Sequence, residues 1–245
     1  MAESEDEDPL ATRWSLVARA ADSHDPVGRQ RAVDELYEIY RDALLGFMRR
    51  RGISEDKAQD LLHDLWIHLL SQDRLKRPDP AKGRFRAWLA TTLKHLIENA
   101  RRYEQARGAG KPHFVIDDRF AGVDRDTTDR FDLEWVRTLV GRALRRLRER
   151  YDEHGEHARF EALKQYLERE EHDAVATLAQ TLDVSPGAAR KAAHDFRIRF
   201  REFLEDEIGQ TVTTRSEFEA ERHHLRRVLE RLKLRLSELE QESEA

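Results

Sequence analysis

Between Ser54 and Lys111 two amphipathic segments follow one another, and their apolar spacing is that of helices. The first reads SEDKAQDLLHDLWIHLL. Ala58, Leu61, Leu62, Leu65, Trp66, Leu69 and Leu70 recur there at three and one, the pattern of a buried helical stripe. Ser54 stands where it can cap the start, with Glu55 and Asp56 in the first turn, where carboxylates offset unpaired amides. Asp60, His63, Asp64 and His68 fall off the stripe and are expected to form a polar face open to a partner. The second segment, GRFRAWLATTLKHLIENARRYEQARGAGK, follows a break between Pro78 and Pro80. Phe85, Leu89, Leu93, Leu96 and Ala100 keep the helical period, but the polar positions are mostly basic. An acidic amphipathic helix followed by a basic, aromatic one points to a protein-binding surface beside a nucleic-acid-binding one.

The remainder of the chain has the same character. With 39% hydrophobic and 38% charged residues, the 245-residue chain can bury a core only in slender units with much exposed surface. Eleven Gly, six Pro and few β-branched runs argue against an all-β fold. The net charge of −5 is segregated: MAESEDED and the tract from Asp117 to Glu134 are acidic, while 84–111 and 190–201 are basic. Local sign, rather than the sum, steers a polyanion. Absence of cysteine excludes disulfides, thiol nucleophiles and thiolate zinc sites, and fits a reducing cytoplasm. No apolar run approaches the roughly 18 residues of a membrane span, and the acidic start has the wrong charge for a signal peptide. The expectation is a soluble, cytoplasmic protein without membrane insertion.

Read in order, the chain divides into five parts. Residues 1–11 form an acidic, disordered N-terminus. Residues 12–111 form a first helical domain: a short helix carrying Trp14 and Val17, a turn at Asp25–Gly28, a longer helix to about Arg51 closed by Gly52, then the two segments above. Residues 112–130 show no helical period and read as a flexible acidic linker. Residues 131–212 form a second helical domain, and 213–245 an amphipathic helical extension whose Phe218, Leu225, Leu229, Leu232, Leu236 and Leu239 trace a heptad seam. The fold class is therefore all-α, two small domains joined by a linker, with a C-terminal heptad helix.

Within the second domain, LAQTLDVSPGAARKAAHDFRIRF has the spacing of a helix-turn-helix. Ala179 is small where two helices must cross, Val184 can plug the angle between them, and Ser185-Pro186 supplies the cap and first-turn chemistry of a helix start. Arg190, Lys191, His194 and Arg197 then lie where such a helix meets groove edges and phosphates. The plainer alternatives stay open from the residues alone: a helical hairpin for this motif, a solvated face for Arg101, Arg102 and Arg107, and solvated carboxylates for Asp60 and Asp64. Trp88 and Tyr103 can pack inside or offer a ring to an unstacked base. His63 and His68 are five apart and share no helical face, His154 and His157 read as loop residues without carboxylate support, and His223 and His224 are adjacent, so no metal or other cofactor is expected. No phosphate loop or catalytic constellation is present, and the chain reads as a non-enzyme.

In this order the parts resemble bacterial sigma factors of the extracytoplasmic-function type. The resemblance covers roughly residues 12–111 and 131–212 and rests on AQDLLHDLWIHLL, on GRFRAWLATTLKHLIENARR and on the helix-turn-helix stretch. His63 departs from the usual glutamine, and Asp183 replaces the common turn glycine. The resemblance implies that Asp60, Leu61, His63, Asp64 and Trp66 dock on core RNA polymerase. It implies that Arg84, Arg86, Trp88, Lys94, His95, Asn99, Arg101, Arg102 and Arg107 meet the −10 element of promoter DNA. Ser185, Arg190, Lys191, His194 and Arg197 would meet the −35 element. It also allows a regulator such as an anti-sigma factor as a further partner. Two other readings fit the residues: a stand-alone helix-turn-helix regulator dimerising through its C-terminal helix, and a helical adaptor that binds only proteins.

Overall fold

The structure, a computed structural model, describes residues 13–22, 24–78, 84–105, 125–167, 171–212 and 215–232. Among the described residues the chain forms nine α-helices and no strand. They are α1 (Arg13–Ala21), α2 (Pro26–Arg49), α3 (Glu55–Leu70), α4 (Phe85–Gln105), α5 (Arg125–Asp152), α6 (His157–Leu167), α7 (Glu171–Thr181), α8 (Pro186–Gly209) and α9 (Arg215–Leu232). A 3-10 helix at Ser71–Lys76 follows α3 directly. The all-α expectation holds. The expected disordered N-terminus (1–11), residues 112–124 of the linker, and Leu236 and Leu239 lie outside the described residues.

Local chemistry sets the helix ends. The Asp25 carboxylate accepts the Gly28 amide at 2.9 Å with Pro26 in the first helical position, so these residues open α2 instead of forming a turn ahead of it. Gly52, at φ +73°, takes the left-handed conformation after α2, as its position predicts. The Ser185 hydroxyl accepts the Ala188 amide at 3.3 Å and caps α8 beside Pro186. Ser54 sits at the corresponding place before α3, yet its side chain makes no cap hydrogen bond. Only its carbonyl joins the helix, accepting from the Ala58 amide at 2.8 Å.

Two compact units divide the chain, Met1–Trp135 and Val136–Ala245. In the first, α2 packs against α1 and α3, and α3 against α4. Leu36, Leu44 and Phe47 of α2, Leu62 and Leu65 of α3, and Leu89, Leu93 and Leu96 of α4 are fully buried. Residues 125–130, read from the sequence as the end of the linker, are helical and begin α5. Residues 131–135, grouped by pattern with the second domain, pack into the first unit. Phe131 meets Phe47 edge-on at 5.6 Å, and Trp135 stacks on Tyr40 at 5.1 Å. The approach is close: a β-carbon on Gly46 would lie 2.8 Å from the Glu134 carboxylate, which pairs with Arg50.

The second unit has its own core, built from Leu147 and Tyr151 of α5, Phe160 and Leu163 of α6, Leu178 and Ala179 of α7, and Ala193 and Phe196 of α8. The rings of Tyr151, Phe160 and Phe196 form a triangle with centroids 5.7–6.0 Å apart. The α9 helix packs on α8, burying Leu225 and Val228. No helix among the described residues is long and apolar enough to cross a membrane.

Candidate functional site

Three helical faces carry the residues singled out by sequence. The first is the outer side of α3. Asp60 and His63 are exposed and Asp64 is half-buried, the latter two one turn along the same face from Asp60. Leu61 and Trp66 do not belong to it. They are only 3% and 6% exposed, and Trp66 packs on Tyr37 at 5.6 Å, so both are core and cannot meet a partner directly. His68, expected on the polar side, is also buried. Burial, reinforced by the cations of Arg74 and Arg77, pushes its imidazole down to about 4. Sequence reasoning missed Ile67, which is 54% exposed. It stands seven residues after Asp60 and four after His63, hence on their face, and that spacing was the available signal. The face is therefore acidic with one large apolar side chain at its C-terminal end.

The second face is the outer stripe of α4. Arg84, Arg101 and Arg102 are exposed, and Trp88, Lys94, His95 and Asn99 are half-buried along the helix between them. The Trp88 ring lies against Phe85, with centroids 5.6 Å apart, so one side of it is supported by the core. Lys94 and His95 both lie near Glu98, at 3.7 and 4.0 Å. Arg102 donates to the Asn99 side-chain oxygen at 2.5 Å, and Arg101 donates to the Arg51 carbonyl at 3.4 Å. Arg86 departs from its expected role. It points away from this stripe, is buried, and donates from Nε to Asp132 at 2.7 Å beneath the Trp135 ring. Its charge is committed to holding α5 against α4. Arg107 lies outside the described residues, as does the side chain of Tyr103.

On α7 and α8 lies the third face. Asp183, at φ +51°, makes the turn, and the Val184 amide donates to the Ala179 carbonyl at 3.0 Å. Ala179 is buried as its small size requires, whereas Val184 is 41% exposed and does not fill the angle between the helices. Ser185, Arg190, Lys191 and His194 are all exposed on the first turns of α8, facing away from buried Ala189 and Ala193. Arg197 is half-buried, its guanidinium 4.7 Å from the Tyr166 ring centre, which fixes it against the unit's own surface. Four of the five expected residues are thus presented together. Chemically, the α4 and α8 faces offer cations and one supported ring. The α3 face offers carboxylates and an aliphatic side chain.

A family model described as Sigma-70 region 2 matches residues 36–107, which takes in most of α2 and all of α3 and α4. No curated protein and no solved structure matches the chain.

Proposed function

We propose, from the premise that residues 36–107 form a sigma-70 region 2 domain, that this chain is a promoter-specificity subunit of the extracytoplasmic-function type. The match itself indicates a non-enzymatic transcription initiation factor with a role in RNA polymerase binding and promoter melting. The finer reading assigns those two roles to two faces. Asp60, His63, Asp64 and Ile67 of α3 dock on core polymerase. Arg84, Trp88, Lys94, His95, Asn99, Arg101 and Arg102 of α4, with Arg107, meet the −10 element, where an unstacked base rests on Trp88. The observation that carries this reading is the coincidence of the matched segment with both faces.

In the second unit, exposed Arg190, Lys191 and His194 on a capped helix support recognition of a −35 element. Phosphate contacts position the duplex and the side chains at the start of α8 read base edges. Binding energy drives melting, so the reaction draws on no nucleotide hydrolysis. In this reading the protein works in the cytoplasm, and a regulator such as an anti-sigma factor would cover one of these faces. A stand-alone regulator dimerising through α9 is less well supported, because Leu225 of that seam is already buried within one chain.

Promoter melting tests the reading directly. Permanganate reactivity of thymines upstream of the start site should appear only with core polymerase and this protein together. Trp88→Ala should reduce it about 10-fold, in line with the roughly 1–3 kcal/mol of a stacked base. Unchanged reactivity in Trp88→Ala would contradict the role given to α4.

A further inference from the structure

The C-terminal extension lies outside the matched segment and outside the three faces above. On α9 the side chains of Glu221, Leu225 and Val228 are buried, and Arg222, His223, Arg226 and Arg227 are exposed on the opposite side. Arg222 pairs with Glu219 at 2.6 Å and with Glu205 of α8 at 3.5 Å. His223, Arg226 and Arg227 have no partner among the residues whose side chains are described, a set that leaves out Glu230. The sequence continues with Arg231, Lys233 and Arg235 against Glu230, ahead of a closing acidic run with Glu238, Glu240, Glu242 and Glu244.

Two physical features mark this face as more than a solvated surface. Arg222 and Arg226, like Arg227 and Arg231, are spaced at i and i+4, where like charges destabilise a helix by about 0.2–0.5 kcal/mol per pair. A helix selected only for solubility would alternate signs, as α9 does earlier at Arg215, Glu219 and Arg222. The second feature is direction. The Arg222–Glu205 contact joins residues 17 positions apart in sequence. A continued helix would separate them by about 25 Å at 1.5 Å per residue. The chain therefore turns back on α8, and α9 packs against the helix that exposes Arg190, Lys191 and His194 on its first turns.

We infer that the basic face of α9 is a second DNA-backbone contact, an arm that binds duplex phosphates beside the α8 interface. This rests on the reading of α8 as a DNA-facing helix. The arm adds affinity and salt dependence without sequence preference, because guanidinium–phosphate contacts do not read bases.

The test uses the full-length protein and a labelled duplex of unrelated sequence, with fluorescence anisotropy followed across a salt series. For the wild type, log affinity should fall with log salt concentration. In Arg226→Gln/Arg227→Gln the slope should be shallower by about two, near 0.9 per lost phosphate contact. Arg226→Lys/Arg227→Lys should restore it. Core-polymerase binding measured on the same preparations should be unchanged. A slope unaltered by the Gln pair, or no salt-dependent affinity in the wild type, overturns the inference. The core-binding measurement reports separately on residues 36–107, so the two readings can fail independently. A Gln pair that instead weakens core binding while leaving the slope intact also overturns it, by identifying a protein-facing surface.

Discussion

At the scale of single residues, two neighbours on α3 behave oppositely to their chemistry. Ile67 is apolar and exposed, while His68 is polar and buried. An aliphatic side chain among Asp60, His63 and Asp64 is the kind of anchor that dominates a docking surface. Ile67→Gln should weaken binding to core polymerase about 10-fold, read by titration of labelled protein, and leave the melting temperature within about 2 °C, since little burial is lost. His68 acts on stability instead. Its folded pKa of about 4 lies below the unfolded 6.5, so between those values the unfolded chain binds more protons. Its contribution is complete above pH 6.5, is lost as pH falls through that window, and is exhausted below about 4. The loss amounts to about 3 kcal/mol. Urea unfolding at pH 7 and pH 4.5 should give a smaller difference for His68→Gln than for the wild type; equal differences would refute this assignment. Neither residue was legible from type alone. Helical spacing identified the stripe, but its edge positions, 67 and 68, were decided by what packs beside them.

Helix elements were more legible than their partners. Apolar period, Gly52 and the Ser185-Pro186 pair located α2, α3, α4 and α8 to within a few residues, because these signals act within one turn, whereas Pro26 read as a turn and opens α2. Arg84 and Arg86 illustrate the limit: identical residues two apart, one exposed and one buried. The difference is made by Asp132, which is 46 residues further on, in a segment that the sequence pattern grouped with the second domain. Removing one partner of such a buried pair leaves an uncompensated charge, at a cost of about 3–5 kcal/mol. Asp132→Ala and Arg86→Ala should each lower stability by that amount in chemical denaturation. The double variant should be less than additive, which a double-mutant cycle measures. Arg84→Ala should cost under about 0.5 kcal/mol. If Arg84→Ala proves the more destabilising, the ion pair does not hold α5 to α4 as described.

Across the whole molecule, a chain of net charge −5 presents basic faces on α4, α8 and α9, because its acids are concentrated elsewhere. Fold class was readable from composition and period, and the basic character of the α4 and α8 faces from clusters of like charge. The division inside α5 was not, since it depends on Phe131 and Trp135 finding Phe47 and Tyr40. The claim that joins these parts is that the protein directs core polymerase to start at chosen sites. Run-off transcription with purified core polymerase, with and without the full-length protein, on promoter DNA from the encoding genome tests it most directly. The account predicts transcripts of defined length only when both proteins are present. They should be about 10-fold fewer with Asp60→Ala/Ile67→Gln and lost with Arg190→Ala/Lys191→Ala. Absence of any core-dependent initiation, with salt-sensitive binding to duplex DNA retained, would contradict it.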